Sequence, residues 1–156
     1  MNDPRVLALL RDRRAAPGAD LRGVPLTGAD LRKVDLRGVF LDGAHLNRAR
    51  LDGCRLDGAS LKNAQLEEVT LKGAVLRDAD LRGAWLTKAE GKATFAGADL
   101  RRAHLQQSAL DGSDFRRADL REALAARASF RGCRWEGAVL EGADFRGAEA
   151  APRRQR

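Results

Sequence analysis

The sequence predicts an all-β solenoid, a chain coiled around a narrow core. Two superimposed patterns predict it. A large apolar residue recurs at every fifth position, and a small one stands two places before it. In the stretch LDGCRLDGASLKNAQL, Leu51, Leu56, Leu61 and Leu66 fill the first pattern, and Cys54, Ala59 and Ala64 the second. On an α-helix five-residue steps land about 140° apart and scatter around the axis. On a flat strand they alternate between opposite faces. The leucines share one interior only if the chain turns a corner in every five-residue unit, which is the signature of a solenoid.

The pattern runs through most of the 156 residues. From Leu21 to Leu86 all fourteen central slots are Leu, and the slot two before each is Ala, Val or Cys. The frame then slips by one residue in AEGKA (89–93) and resumes from Phe95 to Phe145. Ten of these eleven later central residues are large and apolar, Ala125 being the exception, and their small partners are Ala, Ser or Cys. Two core defects are therefore expected. Gly91 brings no side chain, so the coil pinches or bulges at 89–93. Ala125 leaves a Leu-sized gap, into which the ring of Phe145, one coil above, is expected to lean. Glycine recurs two places after the central residue (Gly23, Gly43, Gly53, Gly73, Gly83), where a tight turn calls for positive φ.

The ends differ from the middle. Residues 3–15 read as a short helix with Asp3 as its cap, Pro4 in its first turn and Arg11, Arg13 and Arg14 near its C-terminal end. Val6, Leu7 and Leu10 form its apolar face, and Pro17-Gly18 ends it. It is expected to lid the first coil, because an open solenoid end exposes unpaired backbone. Its apolar run is too short for a signal peptide or a membrane span. The expected division is a capping helix and linker over 1–18, a repeat rod over 19–148 and a basic tail over 149–156. That tail is too short and too basic to cover a coil. Trp135, Leu140 and Phe145, in or next to the last turn, are then the candidate surface for a homodimer through the C-terminal coil.

The units ADLRG (79–83), ADLRK (29–33), GADLR and GADFR resemble the pentapeptide-repeat family, whose motif is A(D/N)LXX. The resemblance covers residues 19–148. It implies a right-handed quadrilateral β-helix with four repeats per coil. Phe95, Phe115 and Trp135 then fall in one column. Counting the short unit around Gly91 there are 26 slots, giving a rod of roughly 30 Å at ~4.8 Å per coil. The resemblance also implies a named activity. Some members protect type II topoisomerases such as DNA gyrase from quinolones or natural poisons, and are described as duplex mimics with an acidic surface and projecting loops.

This chain departs from that description. Its formal net charge is +7. The outward positions of the rod carry +3, the N-terminal segment +2 and the tail +2. Starting with the Leu21 column, the four faces carry −1, +1, +2 and +1, so none is a basic or an acidic stripe. There is no inserted loop and no C-terminal dimerising helix. Mixed Arg/Asp rows, such as Asp80 and Arg82 beside Asp99 and Arg101, read as solvated ladders between coils. Direct nucleic-acid binding is not expected from such a balance.

No catalytic constellation, metal cluster or cofactor motif appears, so no enzyme is expected. His45 and His104 share a face three coils apart, ~14 Å at strand spacing and too far to share a metal. Cys54 and Cys133 occupy small inward slots four coils apart, too distant for a disulfide. They read as buried thiols in place of Ala, consistent with a cytoplasmic protein. The informative surface is the outward stripe Pro25, His45, Gln65, Trp85, His104, Leu124, Asp144, which has little charge in a protein that is 33% charged. Trp85 stands at its centre and Phe40 at the neighbouring corner. Trp85, Phe40, His45, His104 and Leu124 form the candidate protein-binding strip. The expected function is a non-catalytic protein-binding scaffold; the alternative is a topoisomerase-protecting antibiotic-resistance or self-immunity factor.

Overall fold

Every five-residue side of the rod is built on the same hydrogen-bond scheme, visible in a computed structural model that describes residues 3–152. The residue before each central position forms a parallel bridge to its equivalent one coil away, as in Asp20 to Phe40 and Phe40 to Ser60. The central amide donates upward (Leu21 N–H to the Phe40 carbonyl, 2.8 Å), and the bridge amide donates downward (Phe40 N–H to the Ala19 carbonyl, 3.0 Å). The bridges Asp20–Phe40, Pro25–His45, Asp30–Arg50 and Asp35–Arg55 define four sides per coil, here called faces 1 to 4. The central residues from Leu26 to Leu86 are buried, and the small slots beside them pack against the same interior. The corner residue two after the centre has positive φ, as the glycines suggested. Gly23 lies at 63°, but Lys33, Asn63 and Glu122 adopt the same turn without the freedom of glycine.

The scheme leaves one amide per side without a backbone partner, that of the residue just after the centre. Side chains supply the acceptor. In eight repeats the Asp at the bridge position accepts from the amide two residues on, at 3.1–3.3 Å in Asp20–Arg22 through Asp144–Arg146. In four others Asp42, Asn47, Asp52 and Asp111 reach the amide one coil above, at 2.9–3.0 Å. Buried or half-buried backbone amides must be paired, and short acceptor side chains do this locally.

The slip at 89–93 is a four-residue side. Bridges step by twenty residues from Asp20–Phe40 up to Thr70–Glu90, by nineteen from Val75–Thr94 to Glu90–Ala109, and by twenty again above. Gly91 takes φ 114°, and a Cβ there would stand 2.7 Å from the Lys72 amide nitrogen. The pinch presses the backbone against the coil below, so only glycine fits. The short side also removes the turn bond that other small-slot amides make. The Ala93 amide donates instead to the buried Ser113 Oγ at 3.0 Å.

Above the slip the core turns aromatic. Phe95, Phe115 and Trp135 stack in the face 4 column with ring centroids 4.9 and 4.6 Å apart. Phe145 stands directly above Ala125 and meets Phe130 and Trp135 edge-on, at 5.8 and 6.2 Å. Its ring thus lies over the coil that contains Ala125, and Ala125 is buried.

The N-terminal helix α1 spans Pro4–Asp12. Asp3 caps it, accepting from the Arg5 amide at 2.9 Å. Two expectations need correcting. Arg13, in the left-handed region, ends the helix, not Pro17-Gly18, and coil bonding already begins with the Arg14–Asp35 bridge. The inward residues are Val6 and Leu9, with Leu10 beside them, whereas Leu7 is 54% exposed. Positions i, i+3 and i+4 share a face and i+1 does not. The helix also caps through arginine. First-coil carbonyls before face 4 have no coil below; Arg13 donates to the carbonyls of Asp30 (2.8 Å) and Arg32, and Arg5 to that of Asp20 (3.4 Å). At the other end Trp135, Leu140 and Phe145 are partly buried against the core. Among the described residues no backbone carbonyl meets the Leu140 and Phe145 amides. Of the basic tail, residues 153–156 lie outside the described residues.

Candidate protein-docking face

Face 2 carries the stripe singled out by the sequence. Unbroken parallel bridges join Pro25, His45, Gln65, Trp85, His104, Leu124 and Asp144 in that order. Trp85, on the middle rung, is 42% exposed. Its indole stacks on the His104 imidazole, with centroids 4.0 Å apart and planes within 2°. The rings lie parallel to each other. Burial against the stack holds His104 below the ordinary histidine range, which keeps the rung neutral. Gln65, one rung below, accepts from the Asn47 amide group at 3.2 Å. Leu124, one rung above His104, is half-buried, and His45 is exposed.

Phe40 is 46% exposed but belongs to face 1, between Asp20 and Ser60. The strip therefore holds Trp85, His104, Leu124 and His45 in one line, with Phe40 set apart from it. The corner following face 2 widens the uncharged area: Thr87, Gln106 and Ala126 lie there in consecutive coils.

The charges around it are internally paired. On face 1, Asp80, Asp99 and Asp119 bind Arg82, Arg101 and Arg121 of their own repeats at 2.6–2.7 Å. Arg82 and Arg101 also reach the next carboxylate up, Asp99 and Asp119, at 3.7 Å. The expected ladder between coils exists here, but its short bonds are within repeats. These guanidiniums hold the carboxyls of Asp80 and Asp119 below the usual range. The adjoining groove of about 550 Å³ is lined by Lys62, Arg82, Arg101 and Arg121, with Arg102 bound to Glu122 at 2.7 Å. The face with a net negative count thus exposes no acidic row. Burial pushes the Cys54 thiol up to about 12 and Cys133 to about 11, so neither is a ready nucleophile. Among the described residues no group of His, Cys, Asp or Glu is arranged to hold a metal ion, and no helix is long and apolar enough to cross a membrane.

A profile of pentapeptide repeats matches the chain in eight copies, over residues 16–43, 25–63, 36–73, 54–90, 92–124 and 126–150. The chain belongs to the pentapeptide-repeat family. Among solved structures it is similar to full-length QnrB1, a plasmid-mediated fluoroquinolone resistance protein. Identity is 16%, the match covers 87% of this chain and 91% of that one, and the TM-score is 0.53. It is also similar to HetL, a pentapeptide repeat protein involved in heterocyst differentiation regulation in the cyanobacterium Nostoc, with 21% identity, 95% and 96% coverage and a TM-score of 0.44. Family membership and the likeness to QnrB1 support the fold, the right-handed quadrilateral β-helix of the family. No curated protein matches the chain by sequence.

The D of A(D/N)LXX has a role within its own repeat. The aspartate serves an amide of its own repeat first and an arginine second. In Asp114, Oδ1 accepts from the Arg116 amide at 3.1 Å, and Oδ2 accepts from its Nη2 at 2.6 Å. The signal was present as the recurrent spacing D-L-R or D-F-R.

Proposed function

We propose that this pentapeptide-repeat protein is a non-catalytic scaffold that binds another protein through face 2, and that it works in the cytoplasm. One observation carries the reading: Trp85 stands exposed on the middle rung of a ladder whose one carboxylate is the terminal Asp144, while the charges on the adjoining face 1 are tied up in pairs. A tryptophan held rigidly by a stacked neighbour presents area at low entropic cost, and tryptophan is enriched among binding hot spots. The rod is suited to this role because its backbone bridges run between coils, leaving the faces to side chains.

Protection of a type II topoisomerase is the second reading. Family membership and the likeness in fold to QnrB1, a fluoroquinolone resistance protein, favour it. Such protection would proceed by docking, since the acidic residues of face 1 are neutralised in place. The experiment is gyrase supercoiling in the presence of a poison, titrated with wild type and Trp85→Ala. Rescue by wild type that the variant loses supports protection through face 2. No rescue by wild type removes the protection reading. Rescue that survives Trp85→Ala but disappears when Asp80, Asp99 and Asp119 are neutralised points to duplex imitation instead.

A further inference from the structure

We propose that the occupant of face 2 is a second copy of this chain, lying alongside the first with both rods pointing the same way. This rests on the reading of face 2 as a docking surface and names its partner.

The first argument is spacing. The rungs of face 2 repeat once per coil, at ~4.8 Å. A helix laid along the rod offers a side chain every ~5.4 Å, so it drifts by about 2 Å over four rungs. An extended strand laid along it offers one only every ~6.6 Å on a face. A surface made of strands crossing the axis shares the spacing, and the same face of another rod is one. The second argument is shape. Trp85 and His104 lie stacked, so the face is lined by ring edges and leaves no slot for a flat ligand between them.

The third argument is charge, and it chooses the direction. A two-fold axis along the rod sets the corner before face 2 against the corner after it in the partner. Asp42 then faces Arg48 of the second copy, Lys62 faces Glu67 and Glu68, and Glu141 faces Arg146; Arg48 and Arg146, already bound to Glu68 and Asp144 of their own chain, are exposed enough to share with the second copy. Two rungs bring like charges together, Arg82 against Lys88 and Arg121 against Arg127, the second with Glu122 beside Arg121. With the rods antiparallel about the Trp85 rung, Asp42 faces Arg121 and Arg22 faces Glu141, but Arg82 and Lys88 each face themselves, Lys62 faces Arg101 and Arg48 faces Arg127. The parallel pairing is the more complementary one, and it places Gln65, Trp85 and His104 each opposite its own copy.

The test combines light scattering with site-directed cross-linking. Wild type should self-associate in the micromolar range, and Trp85→Glu, whose site is already exposed, should fold normally and associate roughly thirtyfold more weakly or worse. With Cys54 and Cys133 replaced by Ala, Gln65→Cys should cross-link to itself through a bis-maleimide spanning about 10 Å, the separation of packed sheets. Thr70→Cys, on face 3, should not. A monomeric wild type at high micromolar concentration overturns the proposal; face 2 docking itself then stands or falls with the Trp85→Ala arm of the gyrase titration. A dimer indifferent to Trp85→Glu also overturns it, and moves the contact to Trp135, Leu140 and Phe145 at the C-terminal coil. Cross-links between Gln65→Cys and His104→Cys chains, without Gln65→Cys self-links, overturn the parallel direction.

Discussion

Below Gly91 the rod solves its packing problem by repetition, and above it by compensation. In the lower coils all fourteen central residues from Leu21 to Leu86 are leucine. In the upper coils the same four columns hold Leu, Phe, Trp and one Ala, under an unchanged bridge pattern. The coil with Gly91 also contains Phe95, and the coil with Ala125 contains Phe130 and Trp135. A small residue on one side is matched by rings on others. The backbone therefore demands a layer of constant volume, not leucine as such, as expected for a close-packed interior that tolerates volume-conserving exchange.

The broadest way to break the comparison is to violate what both halves share. Leu61→Arg puts a charge into the buried lower column and should abolish the cooperative melt of the rod, while Lys62→Leu, one residue on and facing out, should melt like wild type. Equal melting temperatures would dismiss the inward and outward assignment. Next in size is the junction. Gly91→Ala drives a Cβ to within 2.7 Å of the Lys72 nitrogen and should cost several times more than Gly23→Ala, where nothing lies within 4 Å. The latter loses only the left-handed preference, about 1–2 kcal/mol. Urea unfolding of the two variants compares them directly.

The upper half offers a counter-intuitive substitution. Ala125→Leu restores the lower-half pattern, yet Phe130, Trp135 and Phe145 already surround that coil. It should destabilise by about 1–3 kcal/mol through overpacking. A stabilised variant would show that the volume of the layer is not compensated.

Much of this architecture was legible because it is periodic. Fourteen leucines in phase with small residues leave no other fold, and the missing residue in AEGKA announced the four-residue side. What stayed hidden was set by backbone geometry within one turn. Asp20 and Arg22 are two apart, and only the actual corner brings the amide of Arg22 back over the carboxylate. Leu7 is apolar like the inward residues, yet Val6 and Leu9 define a helix face that excludes it. On face 2 the residues were readable as a stripe, but the Trp85–His104 stack depends on side-chain angles that spacing does not specify.

Two buried serines of the upper half should respond with opposite signs. Ser113 Oγ accepts from the Ala93 amide, the group orphaned by the short side. Ser113→Ala should therefore cost about 1–3 kcal/mol, the penalty of an unsatisfied buried donor. Ser108, one side earlier, has a buried Oγ without a hydrogen-bond partner among the described residues. Ser108→Ala should be neutral or stabilising. Chemical denaturation of both variants, with Ser113→Cys as a weak-acceptor intermediate, gives the order; a loss at Ser108 equal to that at Ser113 would contradict the assignment.

The smallest expected difference lies in the aspartate–arginine forks and appears only in acid. The most open forks lie in the first coil, where the side chains of Asp20 and Asp30 are 52% and 46% exposed, and the most covered is Asp114 in the upper half, at 16%. The Arg116 guanidinium, with its amide, holds the Asp114 carboxyl down at about 2. A carboxyl whose folded value is depressed stabilises the fold above its unfolded value, near 3.9, and that contribution is lost as pH falls through the folded value. For Asp114 the window is thus about pH 4 down to about 2. Asp114→Asn keeps an oxygen for the Arg116 amide but removes the titrating charge, so the variant should lose less stability than wild type between pH 5 and pH 2. Asp30→Asn should follow the wild-type curve closely, because an exposed pair contributes little in water. Urea midpoints at the two pH values decide it. If Asp30→Asn flattens the acid response as much as Asp114→Asn, burial is not what separates the forks of the two halves, and the difference between them is confined to the core.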